Sequence, residues 1–286
     1  MSLSSSSDGS AALSQTLGWA YFLCWSFSFY PQFILNCRRR STQGLSADFQ
    51  WLNFLGFSCY AFFNCMMYWN QRVREDDATR NGGELPDLVK LNDVFFALHA
   101  LVLTTVTLGQ MYWFSPSPVL SPTVRISVAI TFLALLLASI EVLARNIRWN
   151  PDGDFISHNL WTWLGFCLLT SFVKLAVTLV KYIPQALLNY KRKSTEGWSI
   201  GNIVLDFSGG MLSFAQLVVD ASAKGDYSLI TDNPVKLGLS FVSIGFDILF
   251  MVQHYWLYVN PDYSQVATAD EVTTLEGEER DSQHPL

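Results

Sequence analysis

The chain has 286 residues, of which 50% are hydrophobic, 15% aromatic and only 15% charged. That balance excludes an ordinary soluble domain and fits a chain that crosses a membrane several times. The formal net charge of −6 resides in the tail, where Asp262, Asp270, Glu271, Glu276, Glu278, Glu279 and Asp281 face Arg280 alone; the rest is neutral, and without a basic face nucleic acid is excluded as a partner.

The first dozen residues are Ser-rich and lack a basic stretch before an apolar one. They are expected to form a short disordered arm, residues 1–13, and not a cleaved signal. Seven stretches then reach the roughly 20 apolar residues that a spanning helix needs: residues 14–36, 47–69, 88–114, 124–144, 160–190, 200–221 and 235–258. Polar or Pro/Gly/Asn-rich connections separate them, at Arg38–Ser46, Asn70–Asp87, Ser115–Pro122, Arg145–His158, Lys191–Ser199 and Ala223–Pro234. The tail from residue 259 to 286 is acidic and Ser/Thr/Glu-rich, a composition of disorder. An odd number of spans puts the termini on opposite sides. The triplets Arg38-Arg39-Arg40 and Lys191-Arg192-Lys193 sit at helix ends in short loops, which assigns those loops and the C-terminus to the cytosol, although Arg72, Arg74, Arg80 and Lys90 fall on the other side.

The chain carries an internal duplication. Tyr30-Pro31-Gln32-Phe33-Ile34-Leu35-Asn36, three bases and Ser41-Thr42-Gln43-Gly44-Leu45-Ser46 return as Ile183-Pro184-Gln185-Ala186-Leu187-Leu188-Asn189, Tyr190 and three bases, and Ser194-Thr195-Glu196-Gly197-Trp198-Ser199, at an ungapped offset of 153. That offset skips an even number of spans, so both copies run the same way through the membrane. The fold class is therefore an all-α membrane protein of seven transmembrane helices. Its parts are a three-helix repeat over residues 14–114, a linker helix with its loops over 115–159, and a second repeat over 160–258. Pro31 and Pro184 fall late in their helices and should kink them. Two matched kinks, each followed by a glutamine, read as a hinge or gate formed by Pro31, Gln32, Pro184 and Gln185.

Charge inside a membrane is costly, so ionisable residues there are functional candidates: Asp206, Asp247, Lys174, Lys181, Asp93, Glu141, His99 and His254. Glu141 lies near a helix end and reads as snorkelling, and the two histidines read as packed residues before proton relays. Polar residues form stripes at helical spacing: Asn202, Asp206, Gly209, Gly210 and Ser213; Lys174, Thr178, Lys181 and Gln185; Asn53, Gly56, Tyr60 and Asn64; Ser240, Ser243, Asp247 and His254. Such stripes glue helices together in many membrane proteins, but glue does not require two lysines and an aspartate. At the offset of 153, Asp206 answers to Asn53 and Lys181 to Ser28, so the second copy holds charge where the first is neutral. Asp247 stands equally as a structural partner of a lysine and as a direct participant.

The five cysteines, Cys24, Cys37, Cys59, Cys65 and Cys167, lie within or at the ends of apolar runs with no CxxC pair, and read as buried apolar residues, not a metal site or a disulfide frame. No Walker-type phosphate loop and no nucleophile–base set occurs, so neither a pump nor an enzyme is expected, and no cofactor or metal. No Asn-x-Ser/Thr sequon fixes the topology.

The paired Pro-Gln dipeptides with their basic ends resemble the PQ-loop superfamily, which includes the SWEET sugar carriers and has a 3+1+3 helix arrangement. Val180-Lys181-Tyr182-Ile183-Pro184-Gln185, Lys193 to Asn202, Leu205-Asp206-Phe207-Ser208-Gly209-Gly210, Asn92-Asp93-Val94-Phe95-Phe96 and Phe246-Asp247-Ile248-Leu249-Phe250 are similar to its cystine-carrying branch. The resemblance implies proton-coupled export of cystine from an acidic lysosomal or vacuolar lumen to the cytosol, with the N-terminus lumenal. It implies Asp206 as the principal proton-coupling residue, with Asp93 as a second. It implies Asn53, Lys174, Lys181, Asn202 and Asp93 around the substrate, and Trp25 and Phe29 as an aromatic wall. The chain is expected to be similar to the shorter plant, fungal or protist members, without the long glycosylated lumenal domain of the animal ones. Lys181 and Asp206 suit an amino acid, which offers a carboxylate and an ammonium at each end. Desolvation disfavours a carboxylate anion, so an acidic lumen would load Asp206 with a proton and the cytosol would strip it, under alternating access. Tyr263-Ser264-Gln265-Val266 fits a tyrosine-based sorting signal, with Tyr263 and Val266 read by a clathrin adaptor. Competing readings are a PQ-loop carrier for cationic amino acids or sugars, and a seven-helix receptor that does not transport.

Overall fold

The structure, a computed structural model, describes residues 2–80, 89, 91–114, 118–148, 162–225 and 234–259. Every regular element among the described residues is helical. In chain order these are α1 (Ser2–Phe27), α2 (Phe29–Arg39), α3 (Ala47–Trp69), α4 (Gln71–Arg80), α5 (Leu91–Phe114), α6 (Pro122–Arg148), α7 (Trp163–Val180), α8 (Tyr182–Arg192), α9 (Ile200–Lys224) and α10 (Pro234–Val252), followed by a π turn at Gln253–Leu257. Leu91–Phe114, Pro122–Arg145, Trp163–Arg192 and Ile200–Ala223 are long and apolar enough to cross a membrane, and Phe241–Leu257 is a shorter apolar helix. Along α6, Ile126, Ile130, Leu133, Leu136, Leu137 and Ile140 all lie exposed. A continuous apolar face of that kind is a liability in water and ordinary in lipid.

Local chemistry sets the boundaries. Ser121 accepts from the Val124 amide at 3.3 Å, and Pro122 occupies the first helical position of α6, where its missing N–H costs nothing. Thr162 caps α7 by accepting from the Gly165 amide at 3.0 Å. Both expected kinks appear as breaks three residues before the prolines: α1 gives way to α2 at Ser28, and α7 to α8 at Lys181. A proline ring crowds the carbonyl four residues back and offers it no donor, which deprives the Phe27 and Val180 carbonyls of their helical amide partners.

Two segments differ from the expectation. The Ser-rich start is helical from Ser2 and not a disordered arm, continuous with the apolar run from Ala11 that carries α1. The connection after Asn70 holds a helix of its own, α4, capped by the Asn70 side chain on the Val73 amide at 3.2 Å. Val73 and Ala78 bury beside Asp77; two apolar residues among charges gave the sequence too faint a period to read. On α4, burial pushes the Asp76 carboxyl up, and the nearby Arg72 partly offsets it.

The chain divides into two compact units. The first comprises Met1–Ala47, Gly109–Val119 and Tyr182–Leu286. In it α9 is the central element, packed by α1, α2 and α10. The α1–α9 contact is fastened by Gln216, which donates to the Ser14 carbonyl at 2.9 Å across Gly18. The second unit comprises Asp48–Leu108 and Leu120–Lys181. One of its cores joins Leu52, Leu55 and Cys59 of α3 to Val128 of α6 and Val177 of α7. The other joins Met67, Val73, Leu164 and Cys167, with α4 as its cover.

In the first unit the turns after α2 and α8 repeat each other residue by residue. Arg40 and Lys193 both take a left-handed conformation at φ 48°, and Ser41 and Ser194 close onto the carbonyls of Asn36 and Asn189 at 3.4 and 3.3 Å. This is the usual left-handed helix termination. Gly44 and Gly197 follow at φ 97° and 89°. A Cβ on Gly44 would overlap the Glu196 carbonyl oxygen, and one on Gly197 the Gln43 carbonyl oxygen, so each turn presses backbone against the other. Gly44→Ala and Gly197→Ala should each destabilise the fold by about 3 kcal/mol or more. Gly225→Ala, also at positive φ but with no described atom within 4 Å, should cost only about 1 kcal/mol. Thermal unfolding of the three variants in detergent separates the two cases.

Candidate functional site

Gln32 and Gln185 reach across to each other's turn. The Gln32 carboxamide donates to the Gly197 carbonyl at 2.9 Å and accepts from the Ser199 amide at 2.8 Å. Gln185 donates to the Gly44 carbonyl at 2.9 Å and accepts from the Ser46 amide at 2.7 Å. Each thereby pairs with a turn as a neighbouring β-strand would, and each is buried. Behind them, Gln32 and Gln185 donate to Asn36 and Asn189 at 2.8 and 2.9 Å. Those asparagines donate to Gln110 on α5 and Gln253 on the π turn at 2.9 and 3.0 Å. On the outside, Arg39 pairs with Glu196 at 3.0 Å, while Arg192 donates to the Glu196 carbonyl at 2.8 Å. The bases that end α2 and α8 also complement the negative helix termini.

Further along the same unit, Trp25 of α1 lies on α9. Its indole N–H donates to the backbone carbonyl of Asp206 at 3.2 Å. The ring occupies the space over Gly209, whose Cβ would stand 2.5 Å from Trp25 Cδ1. Tyr21 meets Trp25 edge-on with centroids 5.1 Å apart. The Asp206 carboxylate receives the Tyr182 hydroxyl at 3.3 Å. One turn before Asp206, Asn202 holds a buried carboxamide oxygen that has no hydrogen-bond partner among the described residues, which leaves it an open acceptor. Phe29 opens α2 directly after the break, and Asp247 is buried on α10. α9 thus carries a carboxylate at Asp206 and a carboxamide one turn before it, acceptors of the type that pair with an ammonium.

The second unit offers the opposite charge. Lys181, buried in its last turn, donates to Asn53 Oδ1 at 3.0 Å, and its ammonium lies 5.6 Å from the Phe57 ring and 6.0 Å from Phe49. One face further along α7, Lys174 stands 4.1 Å over Phe57 and 5.6 Å from Tyr60. Ring faces hold a desolvated ammonium by about 2 kcal/mol each at best. The close approach that makes this possible is at Gly56, where a Cβ would meet Val177 at 3.0 Å and Lys174 Cδ at 3.5 Å. Three members of the Asn53 stripe thus face α7. Two lysines held by rings and an amide place two cationic donors here, the type of group that pairs with a carboxylate.

Not all expected residues join these groups. Asp93 sits in the first turn of α5, where a carboxylate favours the positive helix terminus. Glu141 pairs with Arg145 at 2.6 Å one turn on, and His254 shares a 2.7 Å hydrogen bond with Thr195. Tyr263 and Val266 lie outside the described residues. Three participants escaped the sequence reading: Tyr182, and the pair Gln110 and Gln253. The last two are related by an offset of 143, the same that relates the starts of α5 and α10. A search at 153 alone passes over them.

A family described as PQ loop repeat matches residues 13–73 and 166–225. The chain is 42% identical over 249 residues to a cystinosin homolog of Dictyostelium discoideum, covering 87% of this chain and 82% of that one. It is 39% identical over 269 residues to the cystinosin of Drosophila melanogaster, covering 94% of this chain and 64% of that one. It is 30% identical over 262 residues to a cystine transporter of Saccharomyces cerevisiae, covering 85% and 94%. On the geometry, Gly209→Ala has to push Trp25 off α9 and should cost about 1–3 kcal/mol. The adjacent Gly210→Ala, whose Cβ would meet Ile244 at an ordinary 3.4 Å, should be neutral or gain up to about 1 kcal/mol of helix propensity. Paired thermal-unfolding curves distinguish the two.

Proposed function

The chain belongs to the cystinosin family of PQ-loop repeat proteins, and on that premise we propose that it carries cystine out of an acidic lysosomal or vacuolar lumen into the cytosol together with protons. The observation that carries this reading is the complementarity of charge. Cystine bears a carboxylate and an ammonium at each end. In the second unit Lys181 and Lys174 offer charge that suits the former, and in the first unit the Asp206 carboxylate offers charge that suits the latter. The yeast relative is a cystine transporter, which points the same way.

In this reading the chain crosses the membrane seven times in a 3+1+3 order. α1 with α2, α3 and α5 form one repeat, α6 links, and α7 with α8, α9 and α10 form the other. The turns that carry Arg38–Arg40 and Lys191–Lys193 face the cytosol, as dense basic charge at helix ends favours, and the N-terminus lies in the lumen. The crossed glutamines then close the cytosolic side. Ser28 and Lys181, at the breaks enforced by Pro31 and Pro184, are the points about which the α2 and α8 arms turn during alternating access. Asp206 takes its proton in the lumen, with Asp93 as a second site nearer that side, and a neutral carboxyl lowers the cost of passing through a closed intermediate. In the tail, Tyr263 and Val266 form the adaptor signal that directs the protein to its compartment.

Uptake of labelled cystine by vesicles of reconstituted protein under an imposed pH step tests the reading, with lysine, arginine and glucose as competing solutes. For each proton coupled, one unit of pH gradient supports about a tenfold cystine gradient. The wild-type chain should show that dependence and prefer cystine; Asp206→Asn should lose it. Preference for lysine or glucose would replace the substrate. A pH-driven cystine gradient retained in Asp206→Asn would remove the proton from this site.

A further inference from the structure

We infer that the Tyr182 hydroxyl is a positioning group that ties the protonation of Asp206 to the α8 arm, through a hydrogen-bond chain from Ser243 to Tyr182 to Asp206. The inference rests on the reading of Asp206 as the proton-carrying site and names the residue through which its state is transmitted.

Tyr182 is the first residue of α8, directly after the break at Lys181 and two residues before Pro184-Gln185. It is buried, stacked on Phe246 of α10 with centroids 5.3 Å apart, and edge-on to Phe250 at 6.1 Å. Its oxygen stands 3.3 Å from Asp206 Oδ2 on α9 and 3.4 Å from Ser243 Oγ on α10. A phenol has one proton and can both donate and accept. While Asp206 is ionised its carboxylate only accepts, so Tyr182 donates to it and accepts from Ser243. Once Asp206 is protonated on the facing oxygen, the acid donates to Tyr182, and Tyr182 turns its own proton to Ser243. No bond other than hydrogen bonds changes, and no proton leaves the phenol. Both separations are long for O–H···O contacts, as suits a link that tightens in one state and slackens in the other. The titratable groups whose charge reaches the phenol are Asp206 on α9 and Asp247 on α10. From α1, the Trp25 indole donates to the backbone carbonyl of Asp206, and the Tyr21 ring meets Trp25 edge-on.

The duplication argues that the hydroxyls are not there for packing. At the offset of 153, Tyr182 answers to Phe29 and Asp206 to Asn53; at the offset of 143 that relates α5 to α10, Ser243 answers to Ala100 and Asp247 to Thr104. Both hydroxyls of the chain appear in the copy that has the carboxylate, and both are missing from the copy that has the amide. A ring at this position packs as well without its oxygen.

The test is cystine uptake by full-length protein in vesicles, measured across a range of pH for wild type, Tyr182→Phe, Ser243→Ala and Asp206→Asn. Tyr182→Phe keeps the ring stack and should displace the pH of half-maximal uptake by about one unit. Ser243→Ala should displace it the same way by less, and carries the test if Tyr182→Phe does not fold. A role in packing alone would lower uptake at every pH and leave the midpoint in place, which would overturn the inference. If Asp206→Asn is blind to pH while both hydroxyl variants keep the wild-type midpoint, the inference alone fails. If Asp206→Asn keeps the full pH dependence, the proton reading fails and takes the inference with it.

Discussion

Gln32 and Gln185 are buried with their carboxamides turned to the backbone of a distant turn and to one asparagine each, and that constraint orders the unit they belong to. Each carboxamide closes one donor and one acceptor on the opposite turn. Losing such a partner inside the protein exposes groups that cost about 1–3 kcal/mol apiece to leave unmet. The surrounding sequence follows from it. The turns must come within backbone contact, so glycine is required at positions 44 and 197. The helices before them must stop in register, so Arg40 and Lys193 adopt the left-handed conformation. The asparagines at 36 and 189 must carry the next link inward, to glutamines on α5 and on the π turn. A polar chain with every member paired is rigid, and one with a member missing is worse than an apolar core.

The duplication supplies this symmetry, and function departs from it. The crossed turns are nearly identical in the two copies, Arg39 with Glu196 being the main inequality. Deeper in the chain the copies diverge in one direction. The second copy exchanges Ser28, Phe29, Asn53 and Ala100 of the first for Lys181, Tyr182, Asp206 and Ser243. Ionisable side chains among apolar helices oppose stability. Their concentration in one copy sets the interior of that copy apart from the other, and on the proposed function marks it as the one that carries chemistry.

Much of this was legible in the residues. The prolines gave both breaks to within three positions, because a missing N–H and a ring clash are local effects. The stripe of Asn53, Gly56 and Tyr60 identified the face that α3 turns to α7, because period 3.6 fixes a face independently of context. The crossing of Gln32 and Gln185 was not legible. Spacing shows that two motifs match, and it carries no information on whether each serves its own turn or the other's. Tyr182 was hidden for a related reason: within an aromatic-rich chain its oxygen acquires meaning only once Asp206 and Ser243 are beside it. α4 was missed because a ten-residue helix needs little apolar surface when its neighbours supply the cover.

On the proposed function, the crossed turns part when the transported solute passes to the cytosol. Nitroxide labels at positions 40 and 193, exposed and left-handed in both turns, report their separation by pulsed electron–electron resonance in reconstituted vesicles. A longer population should appear when cystine and acid are supplied together and should vanish when both are withdrawn. One unchanging separation under all conditions, in vesicles that still move cystine, would contradict the account.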